Sequence, residues 1–356
     1  MSTPDWHDTE LDHEFHVYMI DPLDHSAVMG ELEVYSDSGS VTWSDGDGVG
    51  VTASLEVPDW SKWKDGTWLR IVHRVPSYKY TRTLGTFIVW DDGASGGLEV
   101  LEGSPELCGA IRGLEYDYLP IHIAVGEGAS MRTVISRVMD ATPVPYRFAA
   151  GFKDYRFTEP HIFDAGVTRI DTLRDLCNIG GNEVFTGEEG SIVFRNYVYP
   201  GDVTPLTVID CTAANTTVFE SSVQRTSLSR QIAGRSIALW SGRDDEGAAT
   251  IGGYADVSSR HIASPQRRGY IVSEVHELDD LSEPKTYEHA QALARQWLKE
   301  DSTNTVEWTF TSTWLPLVNG DVVTFRPPGM GFRKCVVETV NADLGAWTVD
   351  VTLKEV

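Results

Sequence analysis

Three stretches of this 356-residue sequence carry a helical apolar stripe, and most other apolar residues fall in short runs closed by turn residues. A chain patterned in this way has to bury itself mainly as sheets. The 32 Gly and 11 Trp agree with this. Gly reaches the positive φ of tight turns, and aromatic side chains suit a pleated, half-buried surface. At 41% hydrophobic and 23% charged, the chain has material for a sizeable core and is not a disordered one.

Residues 1–119 read as strands. Gly50 to Val57 alternates with period two, Trp68 to Val75 follows a Lys64-Asp65-Gly66 turn, and Thr86 to Trp90 closes on Asp91-Asp92-Gly93. Leu32 to Tyr35 is a shorter candidate, and Leu98 to Leu101 pairs back as a hairpin. Residues 120–200 differ in character. Ser130 caps a helix near 131–140 whose stripe is Met131, Val134, Ile135, Val138 and Met139, stopped by Pro143 and Pro145. Thr168 caps a second helix near 169–179, with Ile170, Leu173, Leu176 and Cys177 inward and Gly180-Gly181 ending it. A hairpin over 183–195 follows, turning at Gly187-Glu188-Glu189-Gly190. Residues 201–356 return to strands at Leu206 to Asp210, Ser236 to Trp240, Tyr270 to Val275, Thr305 to Thr311, Val322 to Arg326, Val336 to Val340 and Thr348 to Leu353. Asn319-Gly320-Asp321 makes a turn among them. One helix over 284–300 interrupts the strands, with Pro284 in its first turn and Tyr287, Ala290, Leu293, Ala294, Trp297 and Leu298 on its apolar side.

The expected fold is therefore β-rich α+β. Two related small β-barrels, 1–119 and 201–356, hold an α/β unit between them, and one helix is inserted in the second barrel. Two β units in one chain hint at duplication.

Charge and motifs exclude several functions. A net charge of −24 leaves no basic footprint for nucleic acid and disfavours anionic membranes. No apolar run approaches the ~20 residues that span a bilayer. Met1 to Glu10 is polar and acidic, so no signal peptide is expected. Cys108, Cys177, Cys211 and Cys335 form no CxxC pair and read as free thiols of a reducing cytoplasm. Asp45 to Gly50 with Glu56 imitates part of a calcium loop, but Val49 offers no side-chain oxygen at the fifth position, so a turn is preferred. His7, His13, His16 and His25 cluster with carboxylates near the N-terminus without a fixed ligand motif; a solvated arm is the plainer reading. No metal or cofactor is expected. No GxSxG, HExxH, P-loop or Cys–His signature appears, so no catalytic residue is assigned. Trp60, Trp63 and Trp68 read as packing before sugar stacking. Arg225–Arg235 and Arg260–Arg268 read as partners for acidic neighbours across a subunit contact.

Four stretches resemble the central hub proteins of phage tails, in particular tail-tip proteins of phages of actinobacteria. They are Gly126-Glu127-Gly128 before the 131–139 helix; Phe163 to Thr168 with Leu173 to Leu176, Ile179-Gly180-Gly181 and the hairpin turn ending at Gly190; the helix Thr286–Lys299; and Leu315 to Val323 with its Gly320-Asp321 turn. Glu188 stands where the family's "D-x-x-G" turn usually has Asp. The resemblance runs over roughly 120–356, and over 1–119 only the strand-rich opening matches. It implies a structural, non-enzymatic subunit of the tail tip or baseplate hub, assembled in the host cytoplasm and resident in the virion. It further implies a homotrimeric ring joining tail tube to distal tip, which contacts distal tube proteins, the tape-measure protein and other tip proteins. DNA would pass without specific binding. Acidic residues lining such a lumen would repel DNA; the alternative is an acidic exterior that only keeps the subunit soluble. The competing reading is a glycan-binding or glycan-cleaving tail module acting on the host wall. The residues that carry the motifs are Ser130, Thr168, Gly180, Gly181, Gly190, Gly320 and Asp321.

Overall fold

A computed structural model describes residues 4–6, 11–44, 50–58, 64, 66–91, 94–97, 100–103, 105–158, 160–213, 216–227, 232–240, 251–261, 263–277, 287–302 and 306–356. His7, Asp45 to Val49, Trp60, Trp63 and Pro284 lie outside these residues.

Thirteen strands hydrogen-bond into one sheet. Across it they run Val28–Leu32, Glu14–Ile20, Trp68–Val75, Tyr80–Asp91, Glu106–Cys108, Gly50–Ser54, Ser40–Ser44, Arg333–Asp343, Thr348–Glu355, Val306–Thr313 and Gln224–Ser227. Val322–Arg326 adds to Arg333–Asp343, and Thr207–Asp210 adds to Val322–Arg326. The N-terminal and C-terminal β units thus do not stand apart as two barrels, and among the described residues no sheet closes on itself.

The joint is the long strand Arg333–Asp343. One edge pairs with Thr348–Glu355 throughout. The other pairs with Val322–Arg326 over its first half, then with Ser40–Ser44 over Thr339 to Asp343. A register shift between Val337 and Thr339 lies where the partner changes, and an extra residue there bends and twists the strand. Each β unit thereby satisfies an edge of the other, so neither has to close alone. The core is shared accordingly: Val41, Trp43, Leu84 and Phe87 pack in one cluster with Phe310, Phe325, Val340 and Val351.

Period-two patterning explains the strands. Val306–Thr313 buries every second residue, as do Ser40–Ser44 and Gly50–Ser54. Trp68–Val75 is buried on both faces, because Trp68 and neighbouring Ile20 turn toward a second core. That core belongs to helices α1 (Ile111–Glu115), α2 (Met131–Met139) and α3 (Arg169–Gly180) and to a small sheet. In the sheet Tyr146–Phe148 runs parallel to Ile192–Asn196, which pairs antiparallel with Asn182–Thr186. Met131, Val134, Ile135, Val138 and Met139 are all buried.

Two helices remain, the short α4 (Pro265–Arg268) and the 15-residue α5 (Tyr287–Asp301). α5 is not inserted in a barrel. It lies on its own three-stranded sheet, Ile251–Asp256, Arg235–Trp240 and Ser273–Glu277. Small residues permit the close fit: Ala238, Ala255, Ala290 and Ala294 form the contact, and a Cβ on Gly253 would strike the α5 backbone at Ala290 and Gln291.

The N-terminal stretch also departs from a solvated arm. Glu14–Ile20 is a full strand between Val28–Leu32 and Trp68–Val75, with Phe15, Val17 and Ile20 buried. Its apolar residues alternate with His16 and Tyr18, which masks the pattern to a reader who counts charge first.

Candidate functional site: the joint between units

A set of side-chain hydrogen bonds between residues distant in sequence gathers where the hairpin of the α+β unit meets the large sheet. The hairpin turn is Gly187 to Gly190. The Gly190 amide donates to the Gly187 carbonyl at 2.8 Å, with Gly190 at φ +85°. A Cβ there would lie 2.7 Å from Thr86 Cγ2, so the turn seats directly on strand Tyr80–Asp91.

Three donors grip its carbonyls. Thr86 Oγ1 donates to the Glu188 carbonyl at 2.9 Å, Arg70 reaches the Glu189 carbonyl at 3.4 Å, and His25 Nδ1 lies 3.2 Å from that carbonyl. Arg70 also donates to the His25 carbonyl at 2.8 Å. The Glu189 carboxylate accepts from Arg147 Nε at 2.9 Å.

Arg82 links all three units. Its guanidinium donates to Glu188 Oε1 of the hairpin at 2.9 Å and to the Pro316 carbonyl of the C-terminal unit at 2.7 Å. Its side chain is only 19% exposed, so these charge-assisted bonds are partly shielded from water. Replacing Arg82 with Ala should lower unfolding free energy by about 1–3 kcal/mol. Urea denaturation checks this, and a change below about 0.5 kcal/mol would mean that the joint does not depend on this group.

Beyond Pro316, Gly320 turns at φ +84° and its amide donates to the Val337 carbonyl at 2.8 Å. Asp321 Oδ2 accepts from the Val318 amide at 2.9 Å, and burial pushes its carboxyl above the usual range. This turn thus braces the point at which Arg333–Asp343 changes partner.

The helix ends lie elsewhere in the α+β unit. Ser130 Oγ accepts from the Thr133 amide at 3.4 Å and donates to Asp154 at 2.7 Å. Thr168 Oγ1 accepts from the Asp171 amide at 3.2 Å. Gly181 caps α3 in the left-handed region at φ +63°, and Gly180 sits tight against Met131. Thr168→Ala should cost about 1 kcal/mol by freeing an amide of the first turn. Thermal unfolding followed by circular dichroism reads it, and an unchanged midpoint would deny the cap its role.

A second cluster spans the two β units. His13 and His73 share a hydrogen bond, Nδ1 to Nε2, at 3.0 Å, one ring donating and the other accepting. His13 stacks on Trp347 at 4.6 Å between centroids, and Trp314 lies 4.7 Å from His73. Trp6 covers the group edge-on to Tyr80. His73 is wholly buried, and burial, then His13, then Arg82 lower its pKa to about 3. Trp347 holds a φ of +53°, a strained position for a large side chain.

Chemistry for catalysis is sparse among the described residues. They hold no group of three or more metal-ligating side chains. The four cysteines are buried and none is in a disulfide, and burial pushes the Cys108, Cys177 and Cys335 thiols up to about 12. A shallow groove beside Thr42, Thr52 and Glu106 holds one carboxylate, where glycoside hydrolysis commonly uses a pair. No described helix is long and apolar enough to cross a membrane.

No protein-family model matches the sequence, and none of the curated proteins does. Solved structures match along nearly the whole chain. The tail protein from Neisseria meningitidis MC58 superposes with a TM-score of 0.69 at 10% identity, covering 96% of both chains. The 43 kDa tail protein of prophage MuSo2 from Shewanella oneidensis gives 0.64 at 10% identity, covering 96% of this chain and 98% of that one. This chain has the fold of phage tail proteins. Prophage tail protein gp18 from Listeria monocytogenes EGD-e gives 0.60 at 11% identity, covering 96% and 94%. The tail-protein fold here comprises the shared sheet, the α+β unit and the small α5 unit alike, since the coverage omits little of any of them.

Sequence reasoning named Gly190, Gly320 and Asp321, and the structure brings their two turns to the same joint through Arg82. It missed Arg70, Arg82 and His73, and it read His25 as part of a solvated arm. A histidine in the middle of the apolar run Trp68 to Val75 was the available signal, since a buried imidazole needs a partner.

Proposed function

We propose that this chain is a structural subunit of the phage tail tip or baseplate hub. Three copies form a ring that joins the tail tube to the distal tip and lets DNA pass. The supporting observation is the near-complete two-way coverage of the tail-protein fold. A chain matched end to end by such proteins does the work of the whole fold, and the joint described above suits it. Arg82 and the Gly187–Gly190 turn lock three units into one rigid block, which is what a subunit under ejection load requires.

Its partners on this reading are its own copies, distal tube proteins, the tape-measure protein and other tip proteins. The −24 charge keeps DNA moving without specific binding. The organisation into units at 1–119, 120–200 and 201–356 is part of the same proposal, with the outer two sharing a sheet. The test is electron microscopy of virions carrying a tagged copy. Label at the distal end of the tail supports the reading; label distributed along the tube, or none on particles, defeats it.

A further inference from the structure

The bond between His13 and His73 has a direction, and the rings around it decide which. His73 Nε2 meets His13 Nδ1, while the other His73 nitrogen, Nδ1, is buried with no hydrogen-bond partner. Trp314 Nε1 is also buried with no partner, on a ring whose centroid lies 4.7 Å from that of His73. His73 and Trp314 are both more than nine-tenths buried. An indole N–H only donates. A proton on His73 Nδ1 would set two unanswered donors side by side, whereas a bare Nδ1 is an acceptor beside a donor. Unanswered buried polar atoms are costly, so the bare form is favoured. The proton then sits on His73 Nε2 and is donated to His13, whose Nδ1 is the acceptor.

His13 is the less buried of the two rings, and it leads directly into strand Glu14–Ile20. Asp12 ties the same lead to the next turn of chain, accepting from the Ser77 amide at 2.9 Å. Trp6 stacks on His13, and His13 in turn stacks on Trp347 of the C-terminal unit. The start of the first long strand thus lies over the joint between the two β units.

We propose that His13 is an acid-released latch: a proton on its Nδ1 turns the acceptor into a donor facing the His73 Nε2–H, the pair parts, and residues 11–13 lift from the joint and uncover Trp347. Two neighbours favour the charged ring, the Asp12 carboxylate and the face of Trp347. Burial opposes it and prevails, holding His13 below the ordinary imidazole range. His73 is faced by Arg82 and Tyr80 as well as His13, and its deeper burial and the Arg82 charge leave His13 to take the first proton. Below pH 6.5 the released ring binds a proton that the docked ring refuses, so release is favoured as pH falls. Asp12 stays ionised over this range, because the Ser77 hydroxyl holds its carboxyl low.

The test has two parts, both on the full chain. Nitrogen NMR of histidine-labelled protein at pH 7.5, with each ring assigned through its backbone, should find His13 Nδ1 bare. A proton there overturns the latch, since such a ring would remain a donor when charged. Hydrogen exchange should show the protection factor of the Ser77 amide falling about tenfold or more between pH 7 and pH 5 in the wild type. His13→Asn keeps an acceptor in place that takes no proton, so its Ser77 protection should hold, while the wider acid sensitivity from His73 persists in both proteins. An equal fall in the two proteins, or no fall in the wild type, overturns the proposal.

Discussion

Acidification from pH 7 to pH 4 should remove about 3 kcal/mol of stability through His73 alone. The folded His73 has its pKa lowered from an ordinary 6.5 to about 3, first because it is buried and then because His13 and Arg82 stand beside it. Above pH 6.5 the ring is neutral in folded and unfolded chains, and its contribution is complete. Between pH 6.5 and 3 the unfolded chain takes a proton that the folded one refuses. Stability therefore falls by about 1.4 kcal/mol per pH unit. His13 is lowered in the same direction by burial and adds to the loss. The carboxylates with lowered pKa, such as Asp154 and Glu189, act only below about pH 5, so the histidine signal precedes theirs. Denaturant unfolding at pH 7.5, 6 and 5 should show the slope, and His73→Leu should flatten it. Equal slopes in the two proteins would show that the acid sensitivity arises elsewhere.

Gly190→Ala should destabilise the fold by about 2–5 kcal/mol. Two costs add. An L residue at φ +85° pays roughly 1–2 kcal/mol in backbone strain. The new Cβ also meets Thr86 at 2.7 Å, and overpacking of this kind costs about 1–3 kcal/mol. A second substitution separates the terms. Thr86→Ser deletes the colliding Cγ2 yet keeps the hydroxyl that donates to Glu188. Added to Gly190→Ala, it should restore part of the loss, because Thr86 Cβ stays close at 2.8 Å. No recovery in the double variant would falsify a cost from Cγ2 and leave backbone strain and the Thr86 Cβ contact to account for the loss.

The sequence was most informative where a few neighbouring residues decide the structure. The stripe from Met131 to Met139 and the Gly187 to Gly190 turn can be read locally, since spacing and turn chemistry act within one segment. What could not be read was pairing at a distance. Nothing within Ser40–Ser44 indicates that it will bond to Thr339 to Asp343, because an alternating strand fits any partner of matching pattern. Two separate barrels and one shared sheet ask for the same local sequence. Helix α5 was legible from its apolar stripe, but that it lies on a three-stranded sheet of its own was not, because the innermost contact is made of Ala and Gly, which fit many partners. Arg82 was invisible because its partners, Glu188 and Pro316, lie 106 and 234 residues away.

The pairing of Ser40–Ser44 with Arg333–Asp343 also governs how the chain can be made. On the ribosome the early strands emerge long before their partner exists. Until Asp343 is synthesised, the nascent N-terminal part displays a bare strand edge and an unfinished apolar face. Contacts this distant in sequence form slowly, and exposed edges recruit neighbouring chains. Truncation anywhere before the last strands should therefore yield aggregates instead of a smaller folded piece, and productive synthesis would benefit from chaperones that hold the early segment until the C-terminus arrives.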